Sequence, residues 1–215
     1  MNVLEKDKNM NLLIISASQR INSQSNKVAQ YMAETIVGFE SINHIELCRQ
    51  KLPLWDGEQS SKNSTDSDWL NINEQLIKAD ALILITPEWG GMASPLLKNL
   101  LLMCASEDTA HKPTLLVSVV NGISGAYPIA ELCMNAFKNN KLVAIPDHLI
   151  IRNVEVVLND SAQNTSILNT RDSSIRQRIA YSFHILKHYA QTHKTLRAAL
   201  SAEPFANEHK YTYGM

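Results

Sequence analysis

Three short polar stretches hold most of the residues in this sequence that could do chemistry. The first is Ser16-Ala17-Ser18-Gln19-Arg20-Ile21-Asn22-Ser23-Gln24-Ser25-Asn26, lying between an apolar run and a helical pattern. A helix N-terminus presents unpaired backbone N–H groups and a partial positive charge, which attract phosphate. The hydroxyls of Ser18, Ser23 and Ser25 can turn to donate, Asn26 adds an amide, and Arg20 adds a charged fork. The glycine spacing of a dinucleotide fingerprint is absent, as is the Lys-Ser/Thr pair of a P-loop. A hydroxyl-rich nest for a phosphate monoester is one reading. A Ser/Asn helix cap in a polar turn is the other, and the residue types leave both open.

The second stretch is Thr86-Pro87-Glu88-Trp89-Gly90-Gly91-Met92-Ala93-Ser94-Pro95. Gly90 and Gly91 let the backbone lie close to a flat ring, which Trp89 would shield. A structural turn with a core tryptophan fits the same residues. The third, Asn121-Gly122-Ile123-Ser124-Gly125, is a weaker signal, because glycines before a helix are common.

The elements that would position these loops alternate in type. Apolar runs at Leu12–Ile15, Ile42–Leu47, Ala81–Ile85, Thr114–Val120 and Leu142–Ile145 read as five strands, with Leu149–Val157 open as a continuation of the last. Helical periodicity marks 25–37, 69–78, 95–104, 126–138 and a long final helix over 172–200, with Ile175, Ile179, Phe183, Leu186 and Tyr189 on one face. The stretches 48–68 and 159–172 are polar and read as surface loops. Continuous apolar strands between helices predict a doubly wound parallel sheet covered on both faces. In such sheets ligands bind beyond the carboxyl ends of the strands, where the connections diverge, and the first two stretches fall there.

Composition narrows the function. The chain has 215 residues, 45% of them hydrophobic, which suits one core; residues 1–215 read as a single domain with tails at 1–10 and 201–215. A net charge of -1 gives no basic excess for nucleic acid or an anionic membrane, and no apolar stretch is long enough to span a bilayer. The start Met1-Asn2-Val3-Leu4-Glu5-Lys6-Asp7-Lys8 is charged and lacks a signal-peptide pattern. Cys48, Cys104 and Cys133 form no Cys-x-x-Cys pair, so a reducing cytoplasm is the expected compartment.

Across roughly residues 11 to 158 the chain resembles the NAD(P)H-dependent FMN reductase family of flavodoxin-like proteins. The likeness rests on Ser18-x-Arg20-x-x-Ser23-x-Ser25, with Ala17 where glycine is usual. It rests also on Ala79-Asp80-Ala81 through Pro87-Glu88-Trp89, then Leu97-Lys98-Asn99, and on Gly125-Ala126-Tyr127-Pro128-Ile129-Ala130-Glu131-Leu132. Leu52-Pro53-Leu54-Trp55-Asp56 is similar to a subgroup of these proteins. The resemblance implies a flavodoxin-like, five-stranded fold that binds FMN. Ser18, Arg20, Ser23, Ser25 and Asn26 would hold its phosphate. Pro87, Glu88, Trp89, Gly90, Gly91, Asn121, Gly122 and Ser124 would line its ring. Gly90 stands where many relatives have Asn. The implied activity is hydride transfer from NADPH or NADH through FMN to a small acceptor such as a quinone, free flavin or azo compound. A flavin carrier or redox sensor is the alternative, and the weak net charge argues against a carrier. No acid–base residue is expected, since the flavin carries the reaction. The Glu88 carboxylate is expected to turn from the ring and hold its loop by hydrogen bonds. The family's habit, with an aromatic loop and tail, implies a homodimer or homotetramer.

Other features are plainer. His184 and His188 lie four apart on the final helix and read as solvated histidines rather than metal ligands. Cys104 and Cys133 read as packing residues, as do Met32 and Met103, while Met92 is placed to touch a flavin. The loop with Trp55 and Asp56 either walls the flavin site or bridges to a second subunit, or it is a surface loop with Trp55 pinned inward, and the resemblance favours the first.

Overall fold

Every residue of β3 (Ala81–Pro87) and β4 (Pro113–Val119) is buried. Strands without a polar face belong in the interior of a sheet that carries helices on both sides. The computed structural model describes residues 10–159 and 166–211, and in it β3 and β4 are adjacent. On the far side of β3 lies β1 (Asn11–Ser16), and beyond it β2 (Ser41–Glu46), all in parallel. The order is β2-β1-β3-β4, with a fifth lane beyond β4.

The fifth lane differs from the single strand that the sequence predicts. β5 (Val143–Ala144) pairs with the start of β4, and β6 (Leu149–Ile151) pairs with its end. Pro146, which lacks an N–H, sits between them, and beyond Ile151 the chain turns at Asn153, φ +51°. The sheet therefore has six strands in five lanes.

Alternation along β1 feeds two cores. Leu12 and Ile14 join Val28, Ala29 and Met32 of α1 (Gln24–Thr35) and Ile179, Phe183, Leu186 and Ala190 of α7 (Ser166–Ala202). Leu13 and Ile15 face the other way, onto α3 (Trp69–Lys78), α4 (Pro95–Met103) and α6 (Ala126–Asn135). Ile175 and Tyr189 of α7 are only partly buried, at the edge of the face the sequence marks. The polar stretch 48–68 is not wholly loop: it holds part of a 3-10 turn, Leu47–Arg49, and the short α2 (Gln59–Lys62). A further short helix, α5 (Ser106–Thr109), follows α4. The stretch read as a loop at 159–172 is helical from Ser166.

Asp80, at the start of β3, ties the end of α7 to the sheet: it takes Lys194 at 3.1 Å and Arg197 at 2.8 Å. In the C-terminal tail, Glu208–Tyr211 forms a 3-10 turn. Most of the tail at 1–10, and residues 212–215, lie outside the described residues. Among the described residues, no helix is long and apolar enough to cross a membrane.

Candidate functional site

The site is built where β1, β3 and β4 end. After β1 the chain keeps one more sheet bond, from Ala17 N–H to the Ile85 carbonyl at 2.9 Å, and then leaves. The Ser18 hydroxyl is buried and accepts the Arg20 N–H at 3.2 Å. Ser23 is the N-cap of α1, its hydroxyl accepting the Asn26 N–H at 3.1 Å, so the capping role applies to this serine. Ser25 is different. It lies in the first turn of α1, 1% exposed, and its Oγ has no hydrogen-bond partner, nor has the Oε1 of neighbouring Gln24. A buried hydroxyl without a partner is costly and calls for an explanation.

The second loop continues the sheet through Glu88 N–H to the Val119 carbonyl at 3.1 Å. Trp89 and Met92 then exchange two backbone bonds of 3.2 and 3.1 Å, closing a two-residue turn. Gly90 at φ +58° and Gly91 at φ +79° occupy its centre, the left-handed pair that a type I′ turn requires. Trp89 is not a core residue: it is 38% exposed, and the Arg20 guanidinium lies 5.1 Å from its ring centroid. Thr86 Oγ1 accepts the Ser94 N–H at 2.8 Å, and Ser94 caps α4 through Leu96 N–H at 3.2 Å with Pro95 following. Ser94 also meets Gln19 Oε1 at 3.3 Å. Glu131 of α6 accepts Ala93 N–H at 2.7 Å and pairs with Lys98 at 2.8 Å. Burial works to raise its pKa, but these bonds outweigh it and hold the carboxylate below its ordinary value.

The third loop is latched on two sides. The Ser124 hydroxyl donates to Glu88 Oε1 at 2.7 Å, so the Glu88 carboxylate ties two loops together. The Ser124 carbonyl accepts Arg152 Nε at 2.7 Å. Gly125, at φ +104°, is the N-cap of α6. Asn121, Gly122 and Ile123 stand exposed at the loop's tip.

The three predicted loops thus meet: Arg20 with Trp89, Gln19 with Ser94, Glu88 with Ser124. α1 leaves β1 toward one face and α4 leaves β3 toward the other, which opens the crevice between them. Ser94 was legible as a cap before Pro95. Arg152 belongs to no local motif, and only the folded chain brings it to Ser124.

Elsewhere, Trp55 packs partly buried against the second core, and its N–H donates to Asn99 Oδ1 at 2.9 Å. Asn99 also donates to the Pro53 carbonyl at 2.8 Å, so this loop is pinned to α4. His184 and His188 are exposed, and among the described residues no group of three or more potential ligands could hold a metal. Cys104 is buried, and burial, with Asp108 next, pushes its thiol up to about 12. Cys133 is exposed, contrary to the packing role expected of it, because the helix turns that position outward. A cleft of about 620 Å³ lies at the other end of the sheet, beside His111, Lys141 and Arg197. Its Lys112 and Arg197 are engaged by the Leu76 and Ile77 carbonyls and by Asp80.

A parallel sheet of this order, with three loops converging on its carboxyl edge, defines a flavodoxin-like protein. Residues 10–155 match the NADPH-dependent FMN reductase family, and the chain belongs to it. It is 28% identical over 148 residues to the NADPH azoreductase of Bacillus sp. (strain OY1-2), covering 68% of this chain and 79% of that one. It is 25% identical over 170 residues to the FMN-dependent NADPH-azoreductase of Staphylococcus aureus, covering 78% and 89%. Its fold is similar to that of the flavoenzyme NAD(P)H:(acceptor) oxidoreductase FerB from Paracoccus denitrificans, with a TM-score of 0.61, 16% identity, and coverage of 86% of this chain and 98% of that one.

Proposed function

We propose that the chain acts as one flavin-binding domain that oxidises NAD(P)H and passes the electrons through FMN to a small acceptor, an azo compound or a quinone. The observation that carries this reading is the buried, unpartnered Ser25 hydroxyl in the first turn of α1, within the loop that holds Arg20. A phosphate oxygen would accept from Ser25, from the free N–H groups of that turn, and from Arg20 once it leaves Trp89. Ser18 and Ser23 already accept backbone bonds, which shape the loop and leave their own hydroxyl protons to donate. Asn26 adds its amide at the same turn.

When bound, FMN would supply the redox chemistry between the nicotinamide and the acceptor. The protein's share is position and electrostatics. Pro87 ends β3 and aims the second loop. Gly90 and Gly91 offer backbone N–H groups toward the ring's polar edge, and Asn121 and Gly122 offer theirs from the third loop. Trp89 excludes water from the face on which nicotinamide would stack. The tie to Ser124 holds the Glu88 charge within the loop structure.

The test compares two ligands. In the double variant Arg20→Ala, Ser25→Ala, FMN affinity should fall about a hundredfold or more while riboflavin affinity stays within about threefold, because only FMN has the phosphate. Equal losses for both would move the phosphate elsewhere.

We also infer a homodimer in the reducing cytoplasm. Leu102, Tyr127 and Met134 stand exposed on α4 and α6 at 63%, 68% and 81%, apolar surface that a second copy would cover. All three cysteines are free thiols, which supports the compartment. A monomer mass by light scattering across a wide concentration range would remove the dimer.

A further inference from the structure

Four of the arginines carry a carboxylate partner: Arg49 with Glu46, Arg176 with Asp172, Arg178 with Asp147 and Arg197 with Asp80. Arg20 and Arg152 carry none among the described residues, and both stand at the carboxyl edge of the sheet. Arg171, the other such arginine, is remote on α7. A guanidinium with no acid beside it, at the edge where the three loops converge, is available to a ligand that brings the negative charge.

The two cannot share one phosphate. Arg20 follows β1 and Arg152 follows β6, with β3 and β4 between them. Three strand spacings of about 4.8 Å separate their strands by about 14 Å. On the proposed reading Arg20 takes the single phosphate of FMN. Arg152 lies beyond the loop assigned to the ring and needs a different anion.

Its geometry suits a terminal one. Nε is fixed by the Ser124 carbonyl at 2.7 Å, which sets the plane of the guanidinium. The two Nη groups meet no carboxylate among the described residues and face solvent. A pre-oriented pair of N–H donors matches two oxygens of a phosphate monoester. The pyrophosphate of a nicotinamide dinucleotide is a weaker match, since it bears one charge per phosphorus and is commonly held by backbone N–H groups. A 2′-phosphate on the adenosine ribose is a terminal dianion near neutral pH, and it is the group that NADPH has and NADH lacks.

We propose that Arg152 binds the 2′-phosphate of NADPH at the outer side of the Ser124 loop and sets the preference for NADPH over NADH. This rests on the oxidoreductase reading above. Because Arg152 also holds the Ser124 carbonyl, it links co-substrate recognition to the loop whose hydroxyl meets Glu88.

The test is steady-state oxidation of NADPH and of NADH by the FMN-loaded enzyme, with Arg152→Ala and Arg152→Lys. Arg152→Ala should raise KM for NADPH about tenfold to a hundredfold while KM for NADH and both kcat values stay within about twofold. Arg152→Lys keeps the charge but loses the fork and the Nε anchor, and should fall between. Inhibition by adenosine 2′,5′-bisphosphate should weaken in parallel with KM for NADPH, whereas inhibition by 5′-AMP should not change. Because Arg152 also latches the Ser124 loop, the FMN dissociation constant, read from flavin fluorescence, should rise by no more than about threefold in the variants, and the kinetics are run at saturating FMN. Equal loss for NADPH and NADH, or no loss for either, overturns the assignment, as does a change confined to FMN affinity. If the unaltered enzyme with FMN oxidises neither nucleotide, the oxidoreductase reading fails first and takes this one with it.

Discussion

Gly125→Ala should be among the most damaging single-methyl additions in this chain, and its cost divides into two parts that can be measured separately. The first is conformational. Gly125 sits at φ +104°, and an alanine there costs about 1–2 kcal/mol before it meets any neighbour. The second is steric. The new Cβ would lie 2.4 Å from Ile150 Cγ2 and 3.2 Å from Val120 Cγ1. Ile150 belongs to β6, paired with β4, and its β-branched side chain is stiff at χ1, so the methyl group yields only through a poorer rotamer or a shift of the strand. Overpacking of this kind costs about 1–3 kcal/mol. The sum is about 2–5 kcal/mol, read as a lower urea midpoint at constant m-value.

Ile150→Ala removes the methyl group that clashes. Alone it should cost about 1–2 kcal/mol, because Ile150 is only half-buried. In the double variant, Gly125→Ala should then cost only its conformational part and the tighter contact with Val120, about 1–2 kcal/mol. A loss below about 1 kcal/mol for Gly125→Ala would refute the backbone argument. A double variant with no recovery would refute the clash.

Four further outcomes follow from single groups. Ser23→Ala removes the cap on α1 and should cost about 1 kcal/mol in urea unfolding, with no loss indicating that another group caps the helix. Burial lowers the pKa of His44, against an opposing pull from Glu46, so the unfolded chain takes up the proton first as the pH falls. Stability from this group is full above about pH 6.5 and declines toward the folded-state value, and His44→Gln should flatten the urea-stability curve there. Exposed Cys133 should react with a thiol reagent at neutral pH while Cys104 reacts only on unfolding, and equal rates in the folded protein would contradict the burial of Cys104. Glu88→Gln should keep flavin reduction by NADPH in stopped flow within about tenfold, a barrier change near 1.4 kcal/mol, whereas a thousandfold loss would make Glu88 a chemical participant.

The layered fold was legible because the signals were redundant along each element. β3 and β4 are apolar at nearly every position, and α3 was bounded to the residue. The fifth lane was placed at the right residues, but its division into two strands was not legible, because two residues of β5 and three of β6 are too short to carry a pattern. The converging loops were visible as polar stretches, but their ties were not. Glu88 and Ser124 are 36 residues apart, and Arg152 lies 28 from Ser124. Such pairs depend on parallel crossovers, and no local spacing encodes them. The same holds for the Trp55 loop, whose backbone tie is to Asn99, 44 residues away.

Gly90 shows how a departure from a family pattern can be resolved by backbone geometry. Read as sequence, glycine where relatives carry Asn suggests a lost side-chain contact to the ring. In the structure the position is left-handed, φ +58°, inside a two-residue turn closed by Trp89 and Met92. Asn is among the few side chains that tolerate this conformation, so Gly and Asn satisfy the same backbone demand. A Cβ at Gly90 would meet only Met92 Cε, at 3.9 Å, so no neighbour forbids the larger residue. What both residues preserve is the turn closed by Trp89 and Met92, and with it the placement of the Gly90 and Gly91 N–H groups. If those N–H groups carry the ring contact, the glycine loses little by lacking a side chain, and recognition of the ring rests on the shape of the loop.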